Sequence, residues 1–318
     1  MDDPMHAALD ELEAGLDVAH PDRSRNAVQV LGYGEMSTVL ASDAPGLDGW
    51  ALKRMAIFRN AAEVAGYEAS LDRYASELTA AGLRVPTQRS MTVTSPRTGW
   101  PVLYLVQRKV AAASMANAVL HVVDDAAALR LVRAVLTTAF ATVGSGAGPV
   151  RLALDSQISN WSVQGFDAAT PRFTGDEELL YLDTGTPLFR VDGVEQIDAE
   201  LFLRLCPASL VWVVRRFFLQ DVLDRFYDPR LVAIDMLGNL CKEGRADLVA
   251  AGASVATEVM DERGVDAAPI TAGEVHDFYR QDKFIWRLFL GLRRGERFVQ
   301  TRVMRRPYDV VLPGRISR

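Results

Sequence analysis

Near residue 110 this chain passes from a mostly strand-like to a mostly helical hydrophobic period, and that change limits the folds open to it. Val28–Leu31, Ser37–Leu40 and Trp50–Met55 read as strands, joined by a turn at Gly32–Glu35 and a second at Asp43–Gly49. From Ala61 to Ala81 the pattern is helical, with Tyr67, Leu71, Tyr74 and Leu78 at spacings of four, three and four. Gly82 sits where a helix stop belongs, and Pro86 follows. Two further strands, Gln88–Thr94 and Pro101–Val110, flank the turn Ser95–Gly99. Beyond them helical spacing dominates, first in Ala126–Val143 after the cap Asp124-Asp125, then from Asp198 onward. The exceptions are two short strand-like pieces, Trp161–Val163 and Leu179–Leu182. The expectation is an α+β fold: an N-terminal five-stranded antiparallel sheet with one helix, followed by a mostly helical C-terminal lobe. Residues 25–109 form the first lobe in this reading and 110–318 the second. Residues 1–24 hold an amphipathic helix on Met5, Leu9, Leu12 and Leu16.

At 318 residues the chain can bury a substantial core, and 49% apolar with 24% charged residues is ordinary for a soluble globular protein. A net charge of −6 argues against nucleic-acid binding driven by overall charge. Cys206 and Cys241 both lie in apolar, helix-like surroundings and read as reduced core residues. The acidic, polar start is no signal peptide. The longest apolar run, Leu210–Leu219, is interrupted by Arg215 and Arg216 and falls short of the ~20 residues of a membrane span. A cytoplasmic protein with no membrane span is expected. The oligomeric state is not legible.

Four features bear on chemistry. Gly32-x-Gly34-x-x-Ser37-x-Val39 lies at a strand–turn–strand, where small residues let backbone amides approach phosphates; the same residues suit a plain hairpin. Lys53 follows in Ala51-Leu52-Lys53. An inward strand lysine needs a carboxylate or phosphate partner, whereas one at an edge merely extends to solvent. Glu68 lies on the next helix and is favoured as that partner, with Glu63 its competitor. Asp155 and Asn160 are five residues apart just before an apolar segment, and Asp183 follows the second strand-like piece. Two Asp and one Asn are hard oxygen ligands of the kind that hold Mg²⁺ on a nucleotide. Each feature alone is common; their order is not.

That order resembles the protein-kinase-like fold, and within it the small-molecule branch of aminoglycoside phosphotransferases and choline kinases. Ala51-Leu52-Lys53 is similar to the family's Val-Ala-Ile-Lys strand. Asp155-x4-Asn160 matches its His-Gly-Asp-x4-Asn loop from the Asp onward, Leu182-Asp183-Thr184-Gly185 its second metal-binding segment, and Arg84-Val85-Pro86 suits the branch. The likeness spans Val28 to Arg190. It implies ATP and Mg²⁺ as cofactors and phosphoryl transfer to a hydroxyl of a small-molecule substrate. Lys53, held by Glu68, would contact the α- and β-phosphates beneath the Gly32–Val39 loop. Val39 and Ala51 would line the adenine site, with the Gln107–Lys109 backbone as its hinge. Asp155 would take the acceptor proton, and Asn160 and Asp183 would hold Mg²⁺. Ala153 and Leu154 stand where the family has His and Gly. That departure keeps open a pseudokinase that binds nucleotide or a partner without turnover, and a kinase-like nucleotidyltransferase shares the same pattern. A long segment between Asn160 and Asp183 suggests an inserted hairpin around Asp167–Asp176.

The acceptor is unread. Asp221, Asp224, Asp228 and Asp235 are candidate acids for a cationic substrate and equally ordinary helix-face residues. Gly291–Arg318 carries eight arginines against Glu296 and Asp309, expected as a basic surface that pairs with acids elsewhere or as a site for acidic groups.

Overall fold

A computed structural model describes residues 3–34, 36–204, 211–212 and 219–314. Glu35, Cys206, Pro207, Val214, Arg215, Arg216, Phe218, Arg315 and Arg318 lie outside the described residues. The side chains of Phe202 and Asp221 are likewise outside them.

The first lobe is the expected sheet. Strands β1 (Val28–Tyr33), β2 (Thr38–Ser42), β3 (Trp50–Met55), β4 (Gln88–Thr94) and β5 (Pro101–Arg108) lie in the order β1-β2-β3-β5-β4, every neighbouring pair antiparallel. Apolar side chains alternate at period two along the central strands, so that each face of the sheet carries its own core. Met55, Leu103 and Leu105 face helix α2 (Ala61–Ala80), with Val64, Tyr67, Leu71, Tyr74 and Leu78 packed against them. Asn60 caps that helix by accepting from the Glu63 amide. The opposite face presents Leu40, Leu52, Met91, Val93, Val102, Tyr104 and Val106 to helix α1 (Pro4–Gly15), through Met5, Leu9, Leu12 and Leu16.

On that outer face a cluster of charges is closed off from water. Glu13 of α1 and Arg54 of β3 are both buried, with Arg54 Nε and Nη2 donating to the two Glu13 carboxylate oxygens at 2.8 and 2.7 Å. The Tyr104 hydroxyl donates to Glu13 at 2.5 Å. Arg54 also reaches the Asp309 carboxylate at 2.8 Å and its carbonyl at 2.9 Å, and Arg97 joins both acids. Burial pushes the Glu13 carboxyl up, but the Arg54 and Tyr104 hydrogen bonds and the Arg54 and Arg97 charges outweigh it, so it is held below its usual value of 4.5. Asp309 comes from the chain's last described segment, which lies along the sheet so that the Thr38 hydroxyl meets the Val311 carbonyl at 3.5 Å.

The second lobe holds helices α3 (Ala116–Val122), α4 (Asp125–Thr142), α5 (Ala199–Leu203), α6 (Leu219–Asp224), α7 (Pro229–Lys242), α8 (Val249–Glu262) and α9 (Ala272–Phe298). Asp124 and Asp228 cap α4 and α7, and Thr271 with Glu274 forms a capping box on α9. Two small sheets sit at the lobe junction. Strands β7 (Trp161–Val163) and β8 (Leu179–Tyr181) form a hairpin whose connection contains the Asp167–Asp176 insertion. Strand β9 (Phe189–Val191) pairs with β6 (Val150–Leu152) and β10 (Val194–Glu195); this sheet was not anticipated, because each strand is only two or three residues long. The two-lobed α+β architecture is the one the sequence implies. Among the described residues no helix is long and apolar enough to cross a membrane.

Candidate active site

Antiparallel register sets the inner face of the sheet. Val39 lies opposite Lys53, which lies opposite Leu105; Ala51 lies opposite Gln107, which lies opposite Gln88. Directly paired residues project to one side of a sheet. Val39, Ala51, Lys53 and Gln107 therefore share the face turned toward the second lobe. Above them a register shift at Gly32 interrupts the β1–β2 ladder, and the Gly34 amide donates to the Ser37 carbonyl at 2.9 Å to close the turn. A Cβ on Gly32 would meet nothing within 4 Å, so the loop is open on that side.

From the other lobe, Asp155, Asn160 and Asp183 come to the same cleft. The Asn160 amide nitrogen donates to the Asp155 carbonyl at 3.0 Å, and the Leu182 amide donates to the Asn160 carbonyl at 2.8 Å, so the two loops hold each other in place. This arrangement leaves the Asn160 side-chain oxygen as the group's acceptor. Lys53 forms an ion pair with Asp183. The Asp155 carboxyl is half-buried and pushed up from 3.8 to about 7: loss of water around it is the main cause, with the Asp235 and Asp183 charges adding to it. The Gln157 amide, 3.2 Å away, and the Arg225 charge pull the other way. A carboxyl that ionises near neutrality is suited to accepting a proton.

Two expectations are corrected. Lys53 pairs with Asp183, not with Glu68. The inward stripe of α2 falls on Val64, Tyr67, Leu71, Tyr74 and Leu78, which leaves Glu68 off it, half-buried and pushed up by burial and by the charge of Asp72. Its rival Glu63 is held instead by Arg204, at 2.7 Å. The second correction concerns the hinge. The Lys109 amide donates to the Gly49 carbonyl at 3.0 Å, because the β3–β5 ladder runs on past Arg108, so that amide is already taken. The Gln107 side chain bridges to Thr184 at 2.9 Å and to Gln88 at 3.2 Å, tying the sheet to the Asp183 loop.

The candidate acids separate by neighbour. Asp224 pairs with Arg190, Asp228 caps α7 through the Arg230 and Leu231 amides, and Asp235 faces Asp155. Asp221 lies among the residues whose side chains are not described.

Tyrosines of α2 do structural work that the sequence reading missed. The Tyr74 hydroxyl donates to the Ala153 carbonyl at 2.7 Å, and the Tyr67 hydroxyl donates to the Gly185 carbonyl at 2.8 Å. Ala153 and Leu154 are fully buried, and the Ala153 amide donates to the Leu188 carbonyl at 3.0 Å. The loop that lacks a histidine is thus braced by a helix hydroxyl and a strand-end carbonyl. The only available signal was Tyr at positions 67 and 74, where a purely apolar face would use Leu.

Gly185 is required at the lysine. A Cβ there would lie 2.6 Å from Lys53 Cδ and 2.7 Å from its Nζ. The obstacle is the tip of a flexible side chain, so Gly185→Ala should leave the melting temperature within a few degrees of wild type while displacing the ammonium. Thermal melts of the variant against wild type measure it.

The family model of a family of unknown function (DUF6206) matches residues 11–297. The chain belongs to that family. No curated protein matches the sequence. Solved structures similar to this DUF6206 chain include WaaP in complex with acyl carrier protein, at 12% identity and a TM-score of 0.32, covering 74% of this chain and 87% of that one. The GDP and kanamycin complex of APH(2")-IIia is similar at 12% identity and a TM-score of 0.32, covering 81% and 99%. A GDP complex of a mutant aminoglycoside 2'-phosphotransferase-IIIa follows at 12% and 0.31, covering 77% and 94%. Likenesses this distant carry no argument about the DUF6206 chain, whose chemistry has to be read from its own side chains.

Proposed function

We propose that this protein is an ATP- and Mg²⁺-dependent phosphotransferase acting on a hydroxyl of a small molecule. The observation that supports it best is the meeting, at the junction of the two lobes, of a strand lysine, a metal-type Asp and Asn, and a half-buried Asp that ionises near neutrality.

The donor set fits the implied metal. Asn160 and Asp183 offer one amide and one carboxylate oxygen. Among the described residues no three His, Cys, Asp or Glu side chains are grouped to hold an ion by themselves. A cation here takes its other ligands from phosphate or water, which is how Mg²⁺ is usually held. When bound, Mg²⁺ supplies charge neutralisation for the phosphates. Lys53 would exchange Asp183 for phosphate oxygens, and the Gly32–Val39 loop, Val39 and Ala51 would hold the nucleotide. Asp155 accepts the hydroxyl proton of the acceptor, and Asp235 behind it keeps its affinity for that proton high. Catalysis of this kind is mainly positioning and charge stabilisation.

A second reading, nucleotide binding without turnover, is favoured by Ala153 and Leu154 and by the engaged Lys109 amide. A nucleotidyl transfer to protein uses the same groups. Mg-ATP at a hundred times its Kd should raise stability by ~2.7 kcal/mol, a shift of roughly 5 °C. No shift with any nucleotide would sink the phosphotransferase and nucleotidyl-transfer readings and leave only a pseudokinase that holds a partner. With ATP labelled at the γ position and a metabolite pool, label in a small molecule supports the phosphotransferase. Transfer from an α label supports nucleotidyl transfer, and binding with neither supports the second reading.

A further inference from the structure

The end of α9 carries a surface that the cleft does not use. Residues 297–306 read Arg-Phe-Val-Gln-Thr-Arg-Val-Met-Arg-Arg, with four arginines, four large apolar residues and no acid, in a chain whose net charge is −6. The helix passes into a π-turn over Val299–Val303, and the Met304 amide donates to the Val299 carbonyl at 2.9 Å. The Arg306 amide then donates to the Gln300 carbonyl at 2.8 Å, with Arg305 at φ +52 making the turn. This winding fixes a compact knob. Gln300 is directed back toward Glu296, and the Thr301 hydroxyl bonds to the Arg297 carbonyl. The apolar side chains are left outside: Phe298 is 62% exposed, Val303 68% and Met304 54%.

Arginines nearer the core are spent on the chain itself. Arg293 is buried with its Nε donating to the Tyr308 hydroxyl at 3.0 Å, and Arg294 donates to the Pro313 and Gly314 carbonyls. Arg302, Arg305 and Arg306 are exposed around the apolar tip. Among the described residues no ion pair joins Arg302, Arg305 or Arg306 to an acid elsewhere, the pairing expected of this basic surface. Roughly three to four turns before Phe298, Phe284 and Leu288 of α9 are also exposed.

We infer that this knob docks the protein on an anionic lipid surface, the apolar tip entering the headgroup region while the arginines meet lipid phosphates. Exposed aliphatic and aromatic groups ringed by one sign of charge match a surface that is negative outside and apolar just beneath. Charge complementarity favours lipid over a second copy of this chain, since a parallel copy would set arginine against arginine. The inference is independent of the proposed phosphotransfer and concerns surface binding only; no span is involved.

The test is cosedimentation of the full-length protein with phosphatidylcholine vesicles, with and without phosphatidylglycerol. Binding is expected only with the anionic lipid and should weaken as salt rises. Arg302→Ala with Arg306→Ala should weaken it about 25-fold, at roughly fivefold per arginine. Phe298→Ser with Val303→Ser should weaken it at least tenfold. All four positions are exposed, so unchanged melting temperatures will show the variants folded. The inference is overturned by no anionic-vesicle binding, or by equal binding of both double variants. It is also overturned if sedimentation gives a dimer that the variants dissociate, which makes the face a contact between copies. Equal affinity for single-stranded DNA would overturn it in favour of a general polyanion site.

Discussion

Asp155→Asn is expected to abolish turnover and, in the same molecule, to make the protein more stable at neutral pH. The wild-type carboxyl ionises at about 7 in the fold and at 3.8 as an ordinary Asp. Below 3.8 it is protonated in both folded and unfolded chains, so it costs nothing. Between 3.8 and 7 only the unfolded chain releases the proton, and stability falls as pH rises through that window. At ~1.4 kcal/mol per pKa unit the rise sets an upper limit of about 4 kcal/mol. Asp235 and Asp183 titrate against the same carboxyl, so about half of that is the gain expected at pH 8. Asn keeps an oxygen to accept from the Gln157 amide, now at 3.2 Å, and removes the charge. Thermal melts of both proteins at pH 4 and pH 8 measure the gain, which should be present at pH 8 and small at pH 4. Equal melting temperatures at both values would show that Asp155 is not held protonated by its surroundings. A retained phosphorylation rate would remove it from the chemistry.

Glu13→Ala should be among the most damaging substitutions in the chain, although Glu13 lies on the far side of the sheet from the cleft. It accepts from Arg54, Arg97 and the Tyr104 hydroxyl, and Arg54 is buried. Removing one member of a buried ion cluster leaves an uncompensated charge in a dry environment, at a cost of about 3–5 kcal/mol. Glu13→Gln, which keeps an acceptor, should fall between Ala and wild type. The sign with pH follows from the depressed carboxyl. Its contribution is full above its unfolded value of 4.5 and is lost as pH falls below that. Urea denaturation at pH 7 and pH 4 should therefore show the gap between wild type and Glu13→Gln narrowing in acid. A loss under 1 kcal/mol for Glu13→Ala at pH 7 would mean that the cluster is not dry.

The sheet and α2 were legible because period-two and helical spacings are long and bounded by turn residues there. The short strands β6, β9 and β10 were not, since two or three residues carry no period. At the site, Lys53, Asp155, Asn160 and Asp183 stand out in sequence by their spacing, and the fold gathers them. Which carboxylate reaches Lys53 depended on the phase of α2 to within one residue, and Tyr67 took the inward place next to Glu68. Tyr74 looked like one more member of an apolar stripe, because a period reports the buried ring and not the hydroxyl at its end. Asp235 was one of four equivalent acids until α7 turned it toward Asp155. Asp309 looked like a stray acid in a basic tail, yet its partners are Arg54 and Arg97, more than two hundred residues earlier.

That last contact bears on how the protein is made. All five strands and both covering helices of the first lobe have been synthesised by Arg108, yet the second carboxylate of Arg54 arrives only with Asp309. Throughout synthesis of the helical lobe, two neighbouring guanidinium groups share the single carboxylate of Glu13. The sheet's hydrogen-bond partners are thus close in sequence, while the charge balance of its buried arginines depends on a residue more than two hundred positions later.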